Sequence, residues 1–174
     1  NHHTVKDSIK DYLGNQPECK YVIMTDPDIE LYNINSDILD IYIHALHKLN
    51  KITVGPMLKI DDIPDGYYNK ACAVSGHSSQ FWNKPKKNIV FNKTTYKYIE
   101  CNTDTTFQIF LANNMPETFP HKNSIRFLEP YSAKHLDWYL CPNNITPCKL
   151  FCYFTSSGIS HWNNSDWRGK YYNN

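Results

Sequence analysis

Arginine is almost missing from this chain: among 174 residues only Arg126 and Arg168 carry a guanidinium, and lysine supplies the other cations. Neither sign of charge is in surplus, since 18 Lys plus Arg face 17 Asp plus Glu and the net charge is 18 − 17 = +1. Duplex binding draws most of its non-specific affinity from neutralised phosphates, so this balance argues against a nucleic-acid module. No apolar run approaches the roughly 18 to 20 residues of a membrane helix, and no transmembrane segment is expected. The N-terminus has no charged-then-apolar leader, which points to a cytoplasmic, reducing setting. The 6 glycines form no Walker-type phosphate loop.

The cysteines form no CxxC pair either, which removes zinc knuckles and thioredoxin-type chemistry. Cys141, Cys148 and Cys152 with His161 could be assembled into a zinc site, but their spacing matches no common pattern and they read as buried thiols. Asn92-Lys-Thr, Asn144-Ile-Thr and Asn163-Asn-Ser match the glycosylation acceptor pattern; in so asparagine-rich a chain such matches arise by chance. What the chain does have is apolar and aromatic material. At 41% hydrophobic and 14% aromatic residues it can offset the entropy of ordering one domain.

Residues 1–19 carry a weak helical stripe of Val5, Ile9 and Leu13, stopped by Gly14-Asn15. Lys20-Tyr-Val-Ile-Met-Thr25 is continuously apolar and predicts a central strand buried on both faces, as in parallel sheets. Ser36 can cap a helix over 36–50 whose Ile38, Tyr42, Ala45, Leu46 and Leu49 share a face. A strand broken by Gly-Pro follows over 52–60, and strand, helix, strand predicts a right-handed βαβ unit. Beyond it the spacing predicts an irregular helix over 67–82, strands over 96–101, 105–111 and 124–128, and short helices over 133–140 and within 142–154. There are no repeats. The whole of 1–174 reads as a single α/β domain.

The strongest chemical feature is Asp26-Pro-Asp28, directly after the first apolar strand. Ligands of open α/β sheets bind at the carboxyl ends of strands, and proline fixes the backbone between the two carboxylates so that both can aim at one point. Hard oxygen ligands suit Mn²⁺ or Mg²⁺ bridging to a diphosphate. The plain alternative is an Asx-turn at a strand end.

Thr-Asp-Pro-Asp-Ile-Glu-Leu at 25–31 resembles the metal-binding segment of small GT-A-fold glycosyltransferases, the type found in bacterial polysaccharide loci and large algal DNA viruses. The resemblance continues in order through Val54-Gly-Pro-Met-Leu-Lys-Ile-Asp-Asp-Ile-Pro-Asp65, Phe81-Trp82, Asp104-Thr-Thr-Phe107, Ile125-Arg126, Pro130-Tyr131, Ala133-Lys-His-Leu-Asp-Trp-Tyr139 and Ile159-Ser-His-Trp162. Lys134 stands where the pattern leads one to expect arginine.

The resemblance implies a GT-A-like (Rossmann-like) mixed sheet flanked by helices. It also implies metal-dependent, inverting transfer of a sugar from a nucleoside diphosphate sugar to a glycan hydroxyl. By the same resemblance Asp28 is the main metal ligand, Asp26 binds metal or nucleotide ribose, and His161 completes the metal shell. The plain alternative for His161 is an exposed loop histidine. An inverting transferase needs a carboxylate base; Asp104 is the candidate and Asp137 the alternative, each also readable as a turn or solvated carboxylate. Arg126 and His135 are candidates for phosphate or sugar contact. Asp61 and Asp62 are candidates for sugar hydroxyls, and Trp82 and Trp138 for an apolar sugar platform, although acidic turns are commonly solvated and aromatics commonly core. A strand, loop and helix that hold the nucleotide precede the Asp-x-Asp segment in that fold. Here the segment begins at residue 26, so the domain is expected to be N-terminally incomplete, a poor catalyst and exposed at a sheet edge. Two further readings remain: a non-catalytic carbohydrate-binding relative, and a Mg²⁺-dependent phosphoryl-transfer domain.

Overall fold

Hydrophobic spacing decides most element borders in the computed structural model, which describes residues 2–31, 34–67, 69–103, 106–118 and 121–139. Helix α1 (His2–Gly14) stops at the expected glycine, and strand β1 (Tyr21–Thr25) covers the apolar run. Strand β2 (Ile29–Glu30), helix α2 (Ile38–Lys48) and strand β3 (Thr53–Pro56) follow. Helix α3 (Lys70–His77) continues as a π-helical turn over Ser78–Trp82, which is the irregular helix expected there. Strands β4 (Lys86–Phe91), β5 (Thr94–Glu100), β6 (Phe107–Leu111), β7 (Ser124–Phe127) and β8 (Lys134–His135) complete the order, with a 3₁₀ turn over Leu136–Tyr139. The helix expected within 142–154 lies outside the described residues.

The architecture is mixed α/β: a six-stranded sheet of order β1-β6-β3-β7-β5-β4, and a separate β2–β8 ribbon. Among the strands of the described residues, only β3 and β7 pair in parallel. This corrects the sequence expectation for β1, which is an edge strand among the described residues, with Ile23 44% exposed. Both β1 and β3 run antiparallel to β6, so the two are parallel to each other with β6 inserted between them. A continuous apolar run cannot distinguish these positions, because half-covered edge residues in a short strand show the same composition as central ones.

One face of the sheet is apolar. Alternation along each strand turns Val54, Phe107, Ile109, Ile125 and Phe127 toward the Ile41, Tyr42, Ala45 and Leu46 stripe of α2. Tyr42 is fully buried, stacks on Phe127 at 5.2 Å and donates its hydroxyl to the Tyr131 carbonyl at 2.8 Å. Burying one such aromatic contributes roughly 4–6 kcal/mol before side-chain entropy is subtracted. The N-cap of α2 is Asp37 in place of Ser36; its carboxylate makes no cap bond and accepts the Tyr131 hydroxyl at 2.5 Å.

The opposite face is small and polar near its middle. Thr53 and Ser124 share a hydroxyl–hydroxyl bond of 2.5 Å, and Thr103 donates to the Gln108 carbonyl oxygen at 3.1 Å. Gly55 is required there, because a Cβ would sit 2.4 Å from the Phe107 carbonyl oxygen. Beyond this zone lie Met57, Phe81, Ile99, Cys101 and Leu128, and then Leu58, Ile60, Ile63, Ala73, Ala133 and Trp138.

The β4–β5 hairpin was not legible as such. Only Ile89 of β4 is buried, so its pattern is weak, and Asn92 drew attention as a glycosylation acceptor. Asn92 and Lys93 have φ of 49° and 65°, the two left-handed residues of a tight type I′ hairpin turn.

Candidate metal centre

Asp26 sits one residue beyond β1, where its backbone N–H donates to the Thr106 carbonyl at 2.9 Å. Pro27 then turns the chain away from the large sheet, and Ile29–Glu30 pairs instead with Lys134–His135. The register sets Ile29 opposite His135, and the Leu136 N–H closes the ribbon on the Asp28 carbonyl at 2.8 Å. A residue more than a hundred positions downstream is thereby brought to the Asp-x-Asp segment.

Asp26, Asp28 and His135 each offer one donor atom, and those atoms lie within 4.8 Å of one another. All three residues are half-buried. His135 Nδ1 is 3.3 Å from Asp28 Oδ2, yet this buried nitrogen makes no aligned hydrogen bond among the described residues. Two carboxylate oxygens and an imidazole nitrogen that is buried and not hydrogen-bonded fit Mn²⁺ well, and Mg²⁺ less well because of the nitrogen. The His135 ring lies flat on Trp138, with centroids 5.1 Å apart and planes 9° apart.

The other expected residues fall in three places. Asp62 flanks the ribbon: its carboxylate accepts the Tyr139 hydroxyl, is 2.9 Å from the Lys134 ammonium and 3.8 Å from that of Lys59. Burial pushes the Asp62 carboxyl up, but the bonds from Tyr139 and Lys134 outweigh it and hold it below its ordinary value. Burial, and then Asp62 itself, push the Tyr139 phenol far up. Asp61 is exposed on the same loop. Asp137, in the 3₁₀ turn, is half-buried, and its carbonyl accepts the Asn69 amide at 2.9 Å.

Arg126 and the two tryptophans are integrated into the fold. Arg126 is 1% exposed, donates from Nε to the Asn102 carbonyl at 2.8 Å and lies over the Phe81 ring at 4.6 Å. Trp82 is half-buried and donates its indole N–H to the Leu58 carbonyl at 3.2 Å. Trp138 is 1% exposed, and one of its faces is taken by His135. Asp104 and His161 lie outside the described residues.

Comparison with family models, with curated proteins and with solved structures finds no match. The site therefore stands on its own geometry. That geometry gives His135 a place beside Asp28 where the sequence had assigned it phosphate or sugar contact, and it brings in Tyr139 and Lys134 as partners of Asp62. Nothing in the spacing of Ala133-Lys-His-Leu-Asp-Trp announces this, because a two-residue ribbon carries no periodicity. No helix among the described residues is long and apolar enough to cross a membrane.

Proposed function

We propose that this chain is a metal-dependent glycosyltransferase domain of GT-A type, using Mn²⁺ or Mg²⁺ to bind a nucleoside diphosphate sugar and passing the sugar to a glycan hydroxyl with inversion. The observation that carries the reading is the convergence of Asp26, Asp28 and His135 at the carboxyl end of β1. The carboxyl ends of strands are where ligands bind in open, mostly parallel α/β sheets, and this mixed sheet places its candidate ligands at such an end. The order of sequence blocks that resemble GT-A enzymes supports it independently. Asp26, Asp28 and His135 would hold the divalent ion, which would supply positive charge for a departing diphosphate. The chain's own contribution is to hold two carboxylates and an imidazole in one half-buried place, with Lys134 nearby but committed to Asp62. In this reading Asp104 takes the acceptor's proton, with Asp137 as the alternative base.

The test is binding of UDP and GDP with and without Mn²⁺, together with metal-dependent release of the nucleoside diphosphate from its sugar conjugates. Mn²⁺ is expected to tighten nucleotide binding, and Asp28→Ala to abolish that gain. Nucleotide affinity indifferent to metal would contradict the proposal. Metal-independent binding of glycans, with no nucleotide affinity, would favour a carbohydrate-binding module.

A further inference from the structure

Four rings touch in succession behind the candidate metal centre. Phe81 of the π-helical turn lies 5.0 Å from His77, and His77 meets Trp138 edge-on at 4.6 Å and 68°. Trp138 in turn lies flat against His135. Trp138, three residues beyond His135, lies in the 3₁₀ turn that follows β8.

We infer that Trp138 is a positioning residue that holds the His135 imidazole in the plane from which Nδ1 reaches Asp28, backed by His77 and Phe81; the inference rests on the metal reading proposed above. An imidazole free to rotate about its Cβ–Cγ bond presents either nitrogen or carbon to the carboxylates. The parallel indole, 1% exposed and held from behind by His77, fixes the plane of the ring and leaves only two settings a half-turn apart, one of which presents Nδ1 to Asp28. The Leu136 N–H bond to the Asp28 carbonyl fixes the backbone on the same side. Backbone and ring are thus set independently before any ion arrives, which lowers the cost of ordering the ligands. Residues that orient a ligating histidine typically change metal affinity by about 10- to 100-fold when lost.

The experiment titrates Co²⁺ into the whole chain and reads its visible absorption, whose band position reports nitrogen ligation. The proteins are the wild type, Trp138→Leu, Trp138→Phe, His135→Ala and the His135→Ala/Trp138→Leu double variant, each checked for folding by circular dichroism. Trp138→Leu is expected to weaken Co²⁺ binding by about 10- to 100-fold and shift the band. Trp138→Phe should give an intermediate loss, and the double variant should bind no more weakly than His135→Ala alone. Should Trp138→Leu fail to fold, Trp138→Phe made with and without His135 carries the same comparison, and its band shift should vanish without the histidine. Equal loss with and without His135 would make Trp138 a packing residue and overturn the inference, as would unchanged affinity in a folded Trp138→Leu protein. A wild type that binds Co²⁺ keeps the metal reading standing in either case; one that binds none ends both.

Discussion

The six-stranded sheet and the two-stranded ribbon are built on opposite principles. Around Tyr42, Phe127 and Tyr131 the sheet closes on α2 through fully buried aromatics and aliphatics, and a wide apolar face holds it together. The ribbon has only two residue pairs, Ile29 with His135 and Glu30 with Lys134, and to that short ladder it adds the Leu136 N–H bond to Asp28, the Lys134 contact to Asp62 and the packing of Ile29 on the core. Stability therefore resides in the sheet, and the chemistry proposed here resides in the ribbon. The difference predicts that the candidate metal centre can be altered without endangering the fold.

The sharpest way to break the comparison is to damage the sheet. Phe127→Ala removes a fully buried ring that stacks on Tyr42, and it is expected to lower the unfolding free energy by about 3–5 kcal/mol in urea titration. Gly55→Ala forces a methyl against the Phe107 carbonyl, and a loss of about 1–3 kcal/mol is expected by the same measurement. By contrast, Asp28→Ala should leave the urea midpoint close to wild type while removing metal binding. A large fall in stability with Asp28→Ala would erase the distinction between scaffold and site.

Two smaller effects sharpen it. The Asp62 carboxyl is held below its ordinary value of 3.8, so its contacts contribute stability above that pH and lose it as pH falls through the lowered folded value. Asp62→Asn should flatten that part of the acid stability profile, and an unchanged profile would show that these half-exposed pairs contribute nothing. Ile23→Lys is the mildest change. On an edge strand with a side chain 44% exposed it should cost less than about 1 kcal/mol, whereas a lysine at its neighbour Ile109 should cost several-fold more.

The sequence was informative where periodicity is long. The Tyr42, Ala45 and Leu46 stripe marks α2, Phe81-Trp82 marks the end of the irregular helix, and Gly14 marks the end of α1. It was less informative about neighbours: the apolar run Tyr21–Thr25 forms the edge, because strand order depends on where β6 inserts and not on the composition of β1. Asp26 and Asp28 were legible as a pair because only Pro27 separates them and they follow a strand. His135 was not legible as their partner, since that depends on a two-residue pairing between distant segments. Trp138 drew attention for its ring, and only the fold shows that the ring faces a histidine.

The central claim, that Asp26, Asp28 and His135 form one divalent-metal centre, is tested most directly by calorimetric titration of Mn²⁺ into the wild type, Asp28→Ala and His135→Ala. The account predicts a single-site isotherm for the wild type, no binding for Asp28→Ala and clearly weakened binding for His135→Ala. A wild type without Mn²⁺ affinity, or an affinity unchanged by both substitutions, would contradict it and leave Asp26-Pro-Asp28 as a turn at the end of a strand.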